Sequence, residues 1–191
     1  MMSPLNLLTS RGPRLPLARC MMATALGLLA TPALADESRD PSHRGDRIEA
    51  RLKSYQEVPA VSSAASGRFK ARVDSASQSL SYELSFSGLE GDVRMAHIHF
   101  GQHSVNGGIM VWLCQTAANP SPVASTPVCP QSGTVSGVVS AADVIGPAVQ
   151  GIAAAEFAEM VKAIGTGVAY ANVHSSKFPG GEIRGQLRDD D

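Results

Sequence analysis

The chain has 191 residues, a formal net charge of −1 and 43% apolar residues, a size and composition that suit one globular domain. Its near balance of acids and bases argues against nucleic acid or an anionic membrane as the partner. Its apolar runs are shorter than the roughly 20 residues needed to cross a bilayer as a helix.

The first 35 residues differ in composition from the rest. Arg11, Arg14 and Arg19 form a basic n-region, Cys20 to Leu29 an apolar core, and Ala33-Leu34-Ala35 a small-x-small cleavage site. Together they predict a secretory signal peptide over residues 1–35. Cys20 does not read as a lipoprotein cysteine, because the apolar run follows it and Arg19 stands where a small residue is wanted. Cleavage removes three cations and no acid, leaving a net charge of about −4 on a periplasmic or secreted chain with no membrane anchor. Residues 36–46 are polar and include Pro41, His43 and Gly45, which predicts a disordered lead-in with a solvated histidine.

From Ile48 onward the apolar residues alternate, the period of a half-buried strand. Ile48, Ala50 and Leu52 begin it. Phe69, Ala71 and Val73, then Leu80, Tyr82, Leu84 and Phe86, continue it on either side of Asp74-Ser75-Ala76-Ser77-Gln78, predicting a hairpin over 67–86. Further strands are predicted over 93–99, 109–114, 133–139, 167–174 and 182–187. Between the strands over 133–139 and 167–174, Phe157, Met160, Val161 and Ile164 recur at helical spacing and predict one short helix over 153–164. Many short strands with one helix indicate an all-β, antiparallel, Greek-key-like β-sandwich over residues 47–188.

Cys114 and Cys129 are the two cysteines left after cleavage. In an oxidising compartment they are expected to form a disulfide, closing a loop of about 15 residues for about 3 kcal/mol in the chain-entropy account.

The chemistry concentrates on histidine. Ala96-His97-Ile98-His99 puts two imidazoles on one face of a strand, His103 follows shortly, and His174 closes another strand. His97, His99 and His174, with His103 as a fourth ligand, could hold copper or zinc, with Glu182 as a carboxylate or outer partner. Alternatively the histidines are structural, donating to backbone carbonyls or to Glu182. Glu182 and Arg184 share one strand face and read as an ion pair bracing the Phe178-Pro179-Gly180-Gly181 turn, Glu57 could pair with Arg184 similarly, and Trp112 reads as a core packing residue or a sugar platform. Ser175 and Ser176 are strand neighbours of His174 and point away from it, so no hydrolase triad is apparent and the balance leans away from an enzyme.

Six segments in order carry a resemblance: Gln56-Glu57-Val58-Pro59, Gly67, Leu80-Ser81-Tyr82, Ala96-His97-Ile98-His99, Tyr170-Ala171-Asn172-Val173-His174 and Gly180 to Leu187. Their order and spacing resemble the CHRD domain family, which is named after repeats in chordin and common as single domains in exported bacterial proteins. The resemblance implies an immunoglobulin-like or related sandwich and no settled activity. His97-Ile98-His99-Phe100-Gly101 is also faintly similar to the copper strand of Cu/Zn superoxide dismutase, which implies matching roles for His174 and Arg184. No counterpart of the dismutase zinc loop lies between Gly101 and Gly133. The readings that follow are an exported module binding copper, a non-metal domain for a protein or glycan partner, and a dismutase-like redox enzyme.

Overall fold

The computed structural model describes residues 47–189. The predicted signal peptide, the lead-in and His43 lie outside them. The strands are β1 (Arg47–Lys53), β2 (Ser66–Asp74), β3 (Ser79–Ser87), β4 (Val93–Phe100), β5 (Gly108–Cys114), β6 (Gly133–Ser140), β7 (Ala169–Ser175), β8 (Ile183–Gln186) and β9 (Arg188–Asp189), with helix α1 (Phe157–Gly165) between β6 and β7. The all-β expectation holds.

The strands form one sheet in the order β5-β4-β7-β8-β1-β2-β3-β6, with β9 beside β1. Every ladder between named strands is antiparallel. The sandwich takes the form of this single sheet curled until its edges nearly meet. Across the remaining seam the Tyr82 hydroxyl of β3 donates to the Leu113 carbonyl of β5 at 2.5 Å. Tyr82 reaches it over Gly137 of β6, where a Cβ would stand 2.6 Å from the Tyr82 oxygen.

Alternation explains the core. Ile48, Leu52, Phe69, Leu80 and Leu84 all point inward and are fully buried. Each such side chain contributes roughly 1.5–3 kcal/mol by leaving water. The hairpin turn forms because the Asp74 carboxylate accepts the Ala76 and Ser77 amides at 2.9 and 3.2 Å, the local bonding that favours Asp in turns.

The helix begins four residues later than its periodicity suggests. Ala155 has φ +67° and its amide donates to the Val144 carbonyl, so residues 153–156 form a turn held by a loop instead of a first helical turn. From Phe157 the helix buries Phe157, Met160, Ala163 and Ile164. Strand β9, two residues long, carried no alternation from which to read it. Cys114 and Cys129 are bonded as expected.

Candidate metal centre

His97 and His99 lie on β4, and His174 lies on β7 beside it. The register sets Asn172 opposite His97, Tyr170 opposite His99 and His174 opposite Met95. Opposed residues of an antiparallel pair share a face, so these side chains occupy the face turned away from the apolar core formed by Ala96, Ile98, Ala171 and Val173. The β4–β5 ladder shifts register between Ala96 and His97 and again between Ile98 and His99. Such irregularities re-aim side chains next to sites.

Although they face outward, the histidines are enclosed, with exposures of 0%, 8% and 5% for His97, His99 and His174. The segments 101–107 and 176–181 supply backbone groups above them. Nδ1 of His99 lies 3.0 Å from the Gly107 carbonyl, and Nδ1 of His174 lies 2.9 Å from the Pro179 carbonyl. A carbonyl only accepts, so each Nδ1 carries the proton and each Nε2 presents a lone pair. Gly107 can bring its carbonyl there because it has no side chain: a Cβ would stand 1.7 Å from the Phe100 carbonyl oxygen.

Nε2 of His174 is 3.1 Å from Nδ1 of His97. In the metal-free arrangement His97 therefore donates from Nδ1, which leaves its own Nε2 as an acceptor. Nε2 of His97 and Nε2 of His99 are both buried without a partner. Burial chiefly, then the neighbouring imidazoles, hold the pKa of His97 down to about 2. Burial also lowers His99 and His174 to about 4, against the opposing pull of their carbonyl partners. All three rings are neutral near pH 7, the form that ligates metals.

One ligating atom from each of His97, His99 and His174 lies within 4.8 Å of the others. Two imidazole nitrogens bound to one ion at about 2.0–2.1 Å sit roughly 3 Å apart; Nδ1 of His97 and Nε2 of His174 already stand at 3.1 Å, so an ion between them would take the place of the shared proton, with His97 in its other tautomer. Buried acceptors with no donor, a neutral nitrogen set and two rings oriented by carbonyls fit a metal.

The surroundings brace this group. The Tyr170 ring stacks on His99 at 4.9 Å and 4°, and its hydroxyl accepts the Gly107 amide at 3.2 Å. Trp112, expected in the core, is half-buried outside it: it stands edge-on to His97 at 4.3 Å and lines a small void with Val123, Ser125, Thr126 and Pro127 of the disulfide loop. Arg184 donates from Nε to Glu57 at 2.9 Å, from Nη1 to the Val105 carbonyl at 3.2 Å and from Nη2 to Asn106, and lies 4.3 Å over the Tyr170 ring. Asn172 donates to the other Glu57 oxygen at 2.5 Å. Burial raises the Glu57 pKa, while Arg184 and Asn172 pull it down.

Arg184 thus pairs with Glu57 and not with Glu182, whose carboxylate was the expected brace of the turn, and the pair does more than hold a turn, since Arg184 also fastens 105–106 above the site. With these donors engaged and its charge met by Glu57, Arg184 does not have the freedom to steer an anion that the dismutase likeness implied. Two expected residues stay outside the group. His103 is exposed in the loop after β4 and its Nδ1 bonds the Ser104 hydroxyl. Glu182 is buried, but its Oε1 accepts the Glu90 amide at 2.9 Å and its Oε2 has no partner; carbonyls, not Glu182, orient the imidazoles. The sequence reading overlooked Tyr170, Asn172 and Gly107. The alternation Tyr170, Asn172, His174 could have revealed the first two, whereas Gly107 acts through its backbone and left no local signal.

No curated protein and no solved structure matches the chain. Among the described residues no helix is long and apolar enough to cross a membrane. The CHRD domain model matches residues 48–187, a span that takes in β2 to β8, nearly all of β1, the helix and the histidine group, so the chain belongs to the CHRD domain family.

Proposed function

We propose that this CHRD domain is an exported binding module that holds a single copper ion between His97, His99 and His174. The observation that carries the reading is the group of three buried, neutral imidazoles, two of whose Nε2 atoms have no donor. A buried polar atom without a partner costs roughly 1–3 kcal/mol, and a cation relieves that cost. Three neutral nitrogens suit copper and zinc, and the Irving–Williams order favours Cu(II) over Zn(II). When bound, the metal supplies a Lewis acid or one-electron centre, while Gly107 and Pro179 fix ring tautomers and Tyr170 and Trp112 limit ring motion. Export rests on the predicted leader over 1–35 and agrees with the Cys114–Cys129 bond.

The second reading, a domain for a protein or glycan partner with structural histidines, draws on the His97–His174 hydrogen bond, which forms without metal. Calorimetric titration of Cu(II) and Zn(II) into the purified, disulfide-intact protein at neutral pH separates the two. One-to-one binding, tighter for Cu(II) and lost in His97→Ala and His174→Ala, supports the copper module. Absence of binding, or binding unchanged in both variants, overturns it.

A further inference from the structure

The near-neutral sequence hides an uneven distribution of charge. On β1 the outward positions are Arg47, Glu49, Arg51 and Lys53, and on β2 they include Arg68, Lys70 and Arg72. The register sets Arg47 directly against Arg72 and Arg51 directly against Arg68. Arg188 of β9 joins this face opposite Glu49, and Glu49 itself pairs with Arg68. The face also carries acids, Glu83 opposite Lys70, Asp74 at the end of β2 and Asp189 beside Arg188, but cations outnumber them, while Glu156 and Glu159 lie at the helix, Asp143 caps the turn after β6 and Glu90 pairs with Lys177.

Like charges directly opposite on a sheet are destabilising. Two opposed arginine pairs on an open surface serve packing poorly, and their arrangement suits an anion laid across the strands, because guanidinium forks bind carboxylates in bidentate fashion. Along one strand these charges recur about every 6.6–7 Å, and neighbouring strands add rows about 4.8 Å away. Two shallow depressions follow the same face and share Glu49, one lined by Arg47, Lys70 and Arg72 with Glu83, the other by Arg51, His103 and Arg188 with Asp189.

We infer that the outward face of β1 and β2 is a binding site for an extended acidic polysaccharide carrying carboxylates. The ligand must be long and flat-lying, since the cations form rows and not a closed pocket. The outward positions of β1, β2 and β3 hold charged residues and serines and no aromatic ring. That disfavours single-stranded nucleic acid, which needs stacking platforms, and a bilayer, which needs apolar side chains to insert. The serines of β3, Ser81 opposite Arg72 and Ser85 opposite Arg68, place hydroxyls beside the cations, matching a ligand that carries both carboxylates and hydroxyls. This site is separate from the histidine group, and neither depends on the other.

The test is binding of the purified protein, stripped of metal with EDTA, to immobilised polygalacturonate at about 50 and 200 mM salt, with neutral dextran as control. Binding that weakens steeply with salt is expected. It should fall at least about tenfold when Arg47, Arg51, Arg68 and Arg72 are all changed to Gln, and persist when all four are changed to Lys. Lys162→Gln, off this face, should bind like the parent, and melting curves of each variant verify folding. No binding, equal retention on dextran, or unchanged affinity in the quadruple Gln protein overturns the inference. Tighter binding to oligonucleotides or to anionic vesicles than to polygalacturonate overturns the choice of ligand.

Discussion

The β2–β3 hairpin and the β4–β7 pair are both antiparallel, and both alternate apolar with polar side chains. In the hairpin the polar side faces water, as the burial of every second residue shows. In β7 all the residues are buried, and His97 and His99 on β4 are buried as well. The difference lies in what covers the second face. Over the hairpin there is solvent, whereas over β4 and β7 segments 101–107 and 176–181 close down and bring backbone carbonyls. A polar group under such a cover must find a partner inside the protein or remain unsatisfied. Asn172, Arg184 and Glu57 find theirs, and the Nε2 atoms of His97 and His99 do not. A buried polar face on which two of three unsatisfied atoms among the described residues fall in one cluster of metal-ligating side chains, the third being Oε2 of Glu182, is the clearest functional signal in the molecule.

The sharpest way to break this contrast is to unbalance the covered face. Glu57→Leu leaves the Arg184 guanidinium buried without its carboxylate and should cost about 3–5 kcal/mol in urea unfolding. Adding Arg184→Met should recover much of that loss, because two apolar side chains replace two desolvated charges. A double variant no more stable than the single one would show that Arg184 matters through its bonds to Val105 and Asn106 more than through its charge.

A smaller effect is expected from Tyr170→Phe. The ring stays on His99, but the Gly107 amide loses its acceptor, which should cost about 1 kcal/mol. Because Gly107 orients His99, Cu(II) affinity should fall up to about tenfold with stoichiometry unchanged, read by the same titration. Unaltered affinity would mean that the Gly107 carbonyl is held in place by its neighbours alone.

The smallest effect belongs to the open face. The Glu49–Arg68 pair is partly exposed, with side-chain exposures of 32% and 45%. A double-mutant cycle to Ala should return a coupling of about 0.2–1 kcal/mol that fades as salt is added. A coupling as large as the Glu57 effect would erase the distinction between the two faces.

Much of the sheet was legible because a strand with one dry face writes its period into the chain. β1 to β8 were all anticipated to within a few residues, and the cysteine pair followed from the two cysteines left by the predicted cleavage. The histidine group was half legible. The spacing of His97 and His99 forces them to one side of a strand, and His174 could be suspected from its place at the end of another. What misled was proximity along the chain: His103 is only four residues from His99, but the turn after β4 carries it into solvent. Glu182, next to the Glu57–Arg184 pair in motif, is drawn instead to the Glu90 amide. The basic face was invisible to net charge, since a sum over the chain cannot register that Arg47 and Arg72 meet across a ladder.

From the chain alone came the strand periodicity, the pairing of Cys114 with Cys129 and the candidate imidazoles, each set by short-range geometry or by a count of residue types. Only the tertiary structure decided that β4 lies beside β7, that loops seal their polar face, that carbonyls of Gly107 and Pro179 choose the tautomers and that cations of β1 and β2 align. Those outcomes depend on residues far apart in sequence, from Glu57 to Arg184, which are brought together because burying one apolar face of each strand requires the sheet to curl closed.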